Sequence, residues 1–120
     1  MGRENELGTS RQAESLVFEW SIIDPFGAAE WLAKQPLDEQ MAPAMKTLAQ
    51  RVAYADPDAA IAWAGRIGND EFRTQALKIA AAEAARWSGA KAEAALRNAD
   101  LGEPERHELL DMIKKVEEVR

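Results

Sequence analysis

Apolar side chains recur at helical spacing along most of the chain. One face of the segment 38–55 carries Met41, Met45, Leu48 and Val52, at i, i+4, i+7 and i+11. A similar stripe near the C terminus consists of Leu109, Ile113 and Val116. Together with the positions of proline and glycine, these stripes predict helices over residues 10–23, 25–34, 38–55, 57–67, 70–87, 89–98 and 104–119.

The same patterns repeat along the chain with a fixed period. Asp24–Trp31 shares Asp, Pro and Trp in register with Asp56–Trp63, 32 positions later. A degenerate third copy begins at Ser88, where Ser replaces Asp and Gly replaces Pro. Other columns of this period are apolar, among them Leu16, Leu48, Ala80 and Ile113. The chain therefore contains three units of 32 to 33 residues.

Each unit contains the residues that start a helix. Asp24, Asp56 and Ser88 are good N-cap residues, and Pro25 and Pro57 suit the first helical position, which needs no amide hydrogen. Short helices started in this way alternate with the longer striped ones. We therefore expect an all-α fold, a right-handed α-solenoid of about three helical hairpins with a C-terminal capping helix.

The period also predicts the domain organisation. Residues 11–120 should form one domain, with hairpins at about 11–36, 37–68 and 69–102 and the capping helix at 103–120. Residues 1–10 show no helical pattern, so we expect a flexible segment or a remnant of cloning. The weak third copy is typical of a terminal repeat. Both a complete stack and a segment of a longer one fit this pattern.

Composition supports the helical prediction and excludes some chemistry. Alanine supplies 24 of the 120 residues, and the β-branched residues are few. Cysteine is absent, so a disulfide framework and a thiolate metal site are both excluded. The polar start, Met1–Glu6, lacks the apolar segment of a signal peptide, and no run reaches the roughly 20 apolar residues of a membrane span. These features favour a soluble, cytoplasmic protein.

The charge distribution bears on possible nucleic-acid binding. The net charge is −6, and residues 1–60 carry ten acidic but only five basic side chains. This balance opposes non-specific binding to phosphate, although the second half is nearly neutral. A basic face there is the alternative hypothesis, in which a helical repeat binds nucleic acid through Arg66, Arg73, Lys78, Arg86, Lys91 and Arg97.

The sequence offers no convergent catalytic or metal-binding set. The single histidine, His107, lies in a polar stretch and is expected on the surface. Acidic residues that could act as acid and base, Asp38, Asp70 and Glu103, open helices and would lie in a row along one edge of a solenoid. We therefore expect a protein that is not an enzyme, with no catalytic, cofactor-binding or metal-binding residues.

The tryptophans divide into two groups. Trp20, Trp31 and Trp63 fall in repeat columns and should contact the core, whereas the column of Trp87 holds Ile23 and Ala55. An exposed tryptophan beside an arginine can grip a peptide or stack on a base. The candidate partner-binding residues are Trp87, Arg86, Arg66 and Arg73.

Over residues 13–113 the chain resembles bacterial α-helical repeat proteins built of Asp-Pro, Ala-Ala and Trp units, similar in appearance to tetratricopeptide and HEAT repeats. The Trp-x-x-Leu-Gly signature of the tetratricopeptide repeat is missing. The resemblance implies a protein-binding or assembly role and no reaction. We expect a non-enzymatic scaffold whose partner is another protein or another copy of this chain.

Overall fold

Helices account for all the regular secondary structure in the described part of the chain. The computed structural model describes residues 3–35 and 39–119, with side chains from 11 to 118 within those ranges. Longer and shorter helices alternate: α1 (Arg3–Ile23), α2 (Pro25–Ala33), α3 (Ala42–Val52), α4 (Pro57–Gly65), α5 (Asp70–Trp87), α6 (Gly89–Asn98) and α7 (Glu103–Val119). A 3-10 turn, Glu39–Met41, precedes α3. The predicted all-α class is confirmed.

The three predicted N-caps are present at the starts of the short helices. The Asp24 carboxylate accepts a hydrogen bond from the Gly27 amide at 3.0 Å, and the Asp56 carboxylate accepts one from the Ala59 amide at 3.1 Å. The Ser88 hydroxyl likewise accepts from the backbone amide three residues later, at 3.2 Å. The backbone angles of Asp24 and Asp56 agree within 2°. The residues at these positions therefore fix each helix start locally, through cap chemistry.

Several predicted helix ends differ from the structure. The first helix begins at Arg3, so the backbone of residues 3–10 is helical where the sequence predicted no helix. The prediction of 38–55 was too long, because the chain enters α3 through a 3-10 turn and leaves it in a turn closed by bonds to the Val52 carbonyl. The prediction of 57–67 overran by two residues.

The helix openers also differ in part from the prediction. Asn69 caps α5 by accepting a hydrogen bond from the Phe72 amide at 2.9 Å, which makes Asp70 the first helical residue. Glu103 begins α7 as expected. The third predicted opener, Asp38, lies outside the described residues. An acidic residue in the first turn still complements the helix dipole at α5 and α7.

Each helix contacts the next one along the chain, and most helices also contact the helix two positions further on. The longer helices form a series in which α1 packs on α3, α3 on α5 and α5 on α7. Among the shorter helices, α4 packs on α6, whereas α2 makes no contact with α4 within the described residues. The molecule measures 49 × 30 × 23 Å along its principal axes. None of these helices is long and apolar enough to cross a membrane.

The core is centred on α5, which contacts α3, α4, α6 and α7. Its buried residues are Ala76, Leu77, Ala80, Ala81, Ala84 and Ala85. Large side chains from the surrounding helices fill the spaces around it, including Met45, Leu48, Ile61, Leu96, Leu109 and Ile113. Because the separation of packed helices depends on the side chains at the contact, the alanines of α5 permit several neighbours to approach it closely.

Candidate docking surface

The four predicted partner-binding residues do not form one site. Trp87 and Arg86 lie at the C-terminal end of α5, whereas Arg73 lies near its N-terminal end. At 1.5 Å per residue, Arg73 and Arg86 are about 20 Å apart along the helix axis. Arg66 follows the end of α4. The four side chains therefore have separate surroundings, and no single ligand contact joins them all.

Arg73 has hydrogen-bond partners inside the chain. Its guanidinium donates to the Ile67 carbonyl at 3.1 Å and pairs with the Asp70 carboxylate at 2.7 Å. Thirty-three residues later, Arg106 donates to the carbonyl of Leu96 and pairs with Glu103 in the same way. Both arginines donate hydrogen bonds to backbone carbonyls at or just after the end of the preceding short helix. The sequence pattern did not reveal this structural role.

Arg66 lines a groove between α4 and α6. Its guanidinium lies 5.0 Å from the ring centroid of Trp63, whose side chain is buried. The groove has a volume of about 410 Å³ and is also lined by Asp58 and Asp100. Trp63 therefore contacts the core, as its repeat column predicted, and its ring is covered by Arg66 on one side.

The other tryptophans are arranged as follows. Trp20 and Trp31 are partly buried against the core, and their ring centroids are 6.3 Å apart. Trp87 is 68% exposed, so the sequence correctly set it apart from the other three. Its ring centroid lies 6.1 Å from that of Tyr54, at a tilt of 57°. This spacing is typical of a stabilising aromatic pair.

Trp87 belongs to a surface that we call the aromatic edge. It consists of Phe18, Ile22, Arg51, Tyr54 and Trp87, from the C-terminal parts of α1, α3 and α5 and the turn after α3. The apolar members besides Trp87 are well exposed, at 45% for Phe18, 62% for Ile22 and 54% for Tyr54. A groove of about 270 Å³ runs beside them, lined by Ser21, Ile22, Gln50, Arg51, Tyr54, Glu83 and Trp87.

The charged groups in and beside the aromatic edge differ in their partners. The Arg51 guanidinium lies over the Phe18 ring, 4.3 Å from its centroid, and no described carboxylate lies within 4.0 Å of it. Glu83, which also lines the groove, is paired with Arg86 at 3.4 Å. The aromatic edge thus contains one guanidinium that lies over a ring, and the groove beside it contains one carboxylate that already has a cation.

The sequence pattern did not single out Phe18, Ile22, Arg51 or Tyr54. A signal for two of them exists, because Ile22, Tyr54 and Arg86 follow one another at intervals of 32 residues. Ile22 on α1 and Tyr54 in the turn after α3 are both exposed. Bulky apolar side chains exposed at two positions of the same period indicate a surface feature.

The catalytic and metal-binding candidates are scattered. Asp70 and Glu103 each pair with an arginine of their own helix, at the starts of α5 and α7. His107 is on the surface, as expected, with a ring nitrogen 3.9 Å from the Asp111 carboxylate. Within the described residues, no three His, Asp or Glu side chains are grouped to hold a metal ion.

The six residues of the hypothetical basic face extend over two helices and the segment after α4. Arg73 bonds to backbone carbonyls, Lys78 pairs with Glu108 at 3.1 Å and Arg86 pairs with Glu83. Because half of the set has an anionic or carbonyl partner within the chain, the geometry gives phosphate groups no continuous track. Nucleic-acid binding stays an untested alternative.

No protein-family model, curated protein or solved structure matches the chain. The contacts, exposure and charges of its own residues are therefore the basis for the functional inference.

Proposed function

We propose that this chain is a non-enzymatic helical-repeat module that binds another protein through the aromatic edge. The observation that carries the proposal is the exposure of Ile22, Tyr54 and Trp87 around one groove, to which the Arg51 contact joins the exposed Phe18 ring. An aromatic side chain has about 150–250 Å² of surface that can be buried, so a side chain that is about half exposed presents roughly 100 Å² to solvent. The three aromatic side chains and Ile22 together expose about 400 Å² of apolar surface.

The largest apolar patch of a monomeric protein typically measures about 300–600 Å² and is often functional, so a patch of this size is a candidate interaction site. Tyrosine, tryptophan and arginine are the residue types that contribute most to protein–protein binding energy, and all three occur in the aromatic edge. The groove beside the rings gives a partner's side chain a place to enter. By contrast, Asp70 and Glu103, two of the acidic residues that could act as acid and base, lie at helix starts and pair with arginines of their own helices.

The proposed architecture is a short right-handed α-solenoid. Its support is the repetition of the N-cap geometry at Asp24 and Asp56 and the succession of packed helix pairs. In such a stack, equivalent positions of successive units line one surface. Ile22, Tyr54 and Arg86 have this relationship along the chain, which explains how a repeat builds an extended contact surface.

The proposal is tested by selecting binders from a phage-displayed library of random 12-residue peptides on the immobilised protein. We expect enriched peptides whose affinity falls at least tenfold in Trp87→Ala and is unchanged in Arg97→Ala, a surface change on α6. Enrichment of peptides that bind both variants as well as the unaltered chain would contradict the aromatic edge as the binding surface, and so would the absence of any enrichment.

Light scattering separates a protein partner from a second copy. We expect the unaltered chain to remain a monomer at high concentration. A dimer that dissociates in Trp87→Ala would show that the aromatic edge serves self-assembly instead.

A further inference from the structure

Arg51 gives the aromatic edge a chemical preference beyond apolar contact. The residue lies in the last turn of α3, and its guanidinium carbon lies over the Phe18 ring, 4.3 Å from the centroid. A guanidinium is planar and has five N–H donors around its edge. The contact with the ring provides these donors with no oxygen acceptor. Within the described residues no carboxylate pairs with them.

The neighbouring carboxylate does not compensate Arg51. Glu83 lines the same groove, but its two carboxylate oxygens lie 3.4 and 3.5 Å from Nη1 of Arg86. The groove therefore presents a fixed cation beside apolar rings. A partner that brought a lysine or arginine there would meet the charge of Arg51, whereas a carboxylate could take two parallel N–H bonds from it.

The groove of the aromatic edge favours a short segment over a folded partner of large contact area. A stable protein interface buries about 800 Å² on each partner, somewhat more than half of it non-polar, so the apolar surface of the aromatic edge matches only the apolar part of a small interface. The groove of about 270 Å³ is just below the lower end of small-molecule sites, about 300 Å³, and is sufficient for one large side chain.

The net charge limits how acidic the segment can be. The chain carries −6 overall, so a run of acidic residues would be repelled at long range. That repulsion is screened beyond about 8 Å at physiological ionic strength, whereas a direct contact with Arg51 is not. One carboxylate flanked by apolar residues satisfies both conditions.

We propose that the aromatic edge binds a short segment of another protein in which one carboxylate side chain adjoins a large apolar side chain. The carboxylate pairs with Arg51, and the apolar side chain enters the groove against Tyr54 and Trp87. This inference rests on the proposed function, since it specifies the partner of the same surface.

The test uses peptides from the library selection, resynthesised with a fluorescent label. Dissociation constants are measured by anisotropy for the unaltered chain, Arg51→Gln and the matched control Arg97→Gln, which removes the same charge from α6. Each peptide is compared with a version in which its acidic residue is replaced by the corresponding amide. Arg51→Lys is a second variant, which keeps the charge but loses the planar fork.

We expect every Trp87-dependent peptide to contain an acidic residue beside an apolar one. Arg51→Gln and the amide replacement should each weaken binding about tenfold, because charged hydrogen bonds are stronger than neutral ones. Together they should weaken it no further, since both remove the same pair. Arg51→Lys should bind with intermediate affinity, and Arg97→Gln should bind normally. Circular dichroism spectra identical to that of the unaltered chain would exclude misfolding.

The outcomes distinguish this inference from the proposed function. If peptides depend on Trp87 but lack an acidic residue, or bind Arg51→Gln with unchanged affinity, the stated partner chemistry is wrong and the protein-binding role stands. If no peptide depends on Trp87, the proposed function fails and this inference fails with it. A Trp87-dependent dimer would identify a second copy as the occupant and overturn the inference.

Discussion

Replacement of Arg106 by methionine should destabilise the protein more than the same replacement of Arg73 or Arg97. The Arg106 side chain is only 19% exposed. Its Nε donates to the Leu96 carbonyl at 3.0 Å, and Nη2 donates to the carbonyls of Ala99 at 2.7 Å and Leu101 at 3.2 Å. Leu96 lies in the last turn of α6, where carbonyls have no partner within the helix.

The magnitude follows from these three contacts. A hydrogen bond to a charged group contributes about 1.5–3 kcal/mol, but one guanidinium shares its charge among all three bonds and water replaces part of the loss. We expect the free energy of unfolding to fall by about 3 kcal/mol, a substantial part of the roughly 5–15 kcal/mol of a domain of this size. With a urea m-value near 2 kcal/mol/M, the midpoint should fall by about 1.5 M.

Two further arginine variants calibrate the assay, which is urea unfolding followed by far-ultraviolet circular dichroism. Arg73→Met removes one good carbonyl bond and a weaker one at 3.5 Å to Gly68, so it should cost about half as much. Arg97→Met, on the exposed side of α6, should change stability by less than about 0.5 kcal/mol. Equal midpoints for Arg106→Met and Arg97→Met would refute the reasoning, because they would show that water satisfies the carbonyls equally well.

The same unfolding assay checks three other expectations. Asp56→Ala should cost about 1 kcal/mol through loss of its cap, whereas Asp58→Ala, exposed in the same first turn, should cost clearly less; equal losses would count against the cap. Ala80→Leu should cost about 1–3 kcal/mol by overpacking α5, and Ala94→Leu on the exposed side of α6 should cost little; a tolerated Ala80→Leu would contradict close packing. Trp87→Ala should change stability by less than about 1 kcal/mol, and a larger loss would show that Trp87 supports the fold.

Helix starts could be predicted from the sequence because their chemistry is local. A cap at Asp24 or Asp56 needs only the side chain and an amide three residues later, followed by a proline that suits the first turn. The start of α3 was harder to predict. Pro43 lies in its first turn, and the 3-10 turn before it depends on how Met41 packs against the neighbouring helices.

Burial was predicted less well, because it depends on neighbours that a period does not specify. Leu48, Ala80 and Ile113 are buried as their column predicts, whereas Leu16 is 43% exposed in the same column. Leu16 lies on α1 and Ile113 on α7, the two ends of the series, and each of these helices packs on two other α-helices, so the number of packed helices does not explain the difference. The sequence period therefore predicts which positions correspond, and the burial of each depends on its own neighbours.

The contacts of the arginines also depend on neighbouring elements that the sequence period does not specify. Arg66 and Arg73 were candidates for partner binding, Arg66 because it is close to Trp63 in the sequence, yet Arg73 bonds to carbonyls that follow α4. A sequence signal existed in the spacing of an acidic residue three positions before the arginine, at Asp70–Arg73 and again 33 residues later. Recognising it requires knowing where the preceding helix ends in space.

Arg51 and Arg106 lead to opposite expectations because their guanidinium groups contact different atoms. Arg106 contacts carbonyls, so its donors are used in folding, whereas Arg51 lies over the Phe18 ring and has no carboxylate partner among the described residues. An exposed cation–π contact contributes only about 0.5–1 kcal/mol, so Arg51→Gln should leave the fold nearly as stable. The same substitution should lower the affinity for an acidic peptide. Arg106→Met should lower stability and leave the affinity of the remaining folded protein unchanged. If both variants lost stability and affinity together, the aromatic edge and the α6–α7 junction would have to be one cooperative structure, contrary to their placement on different helices.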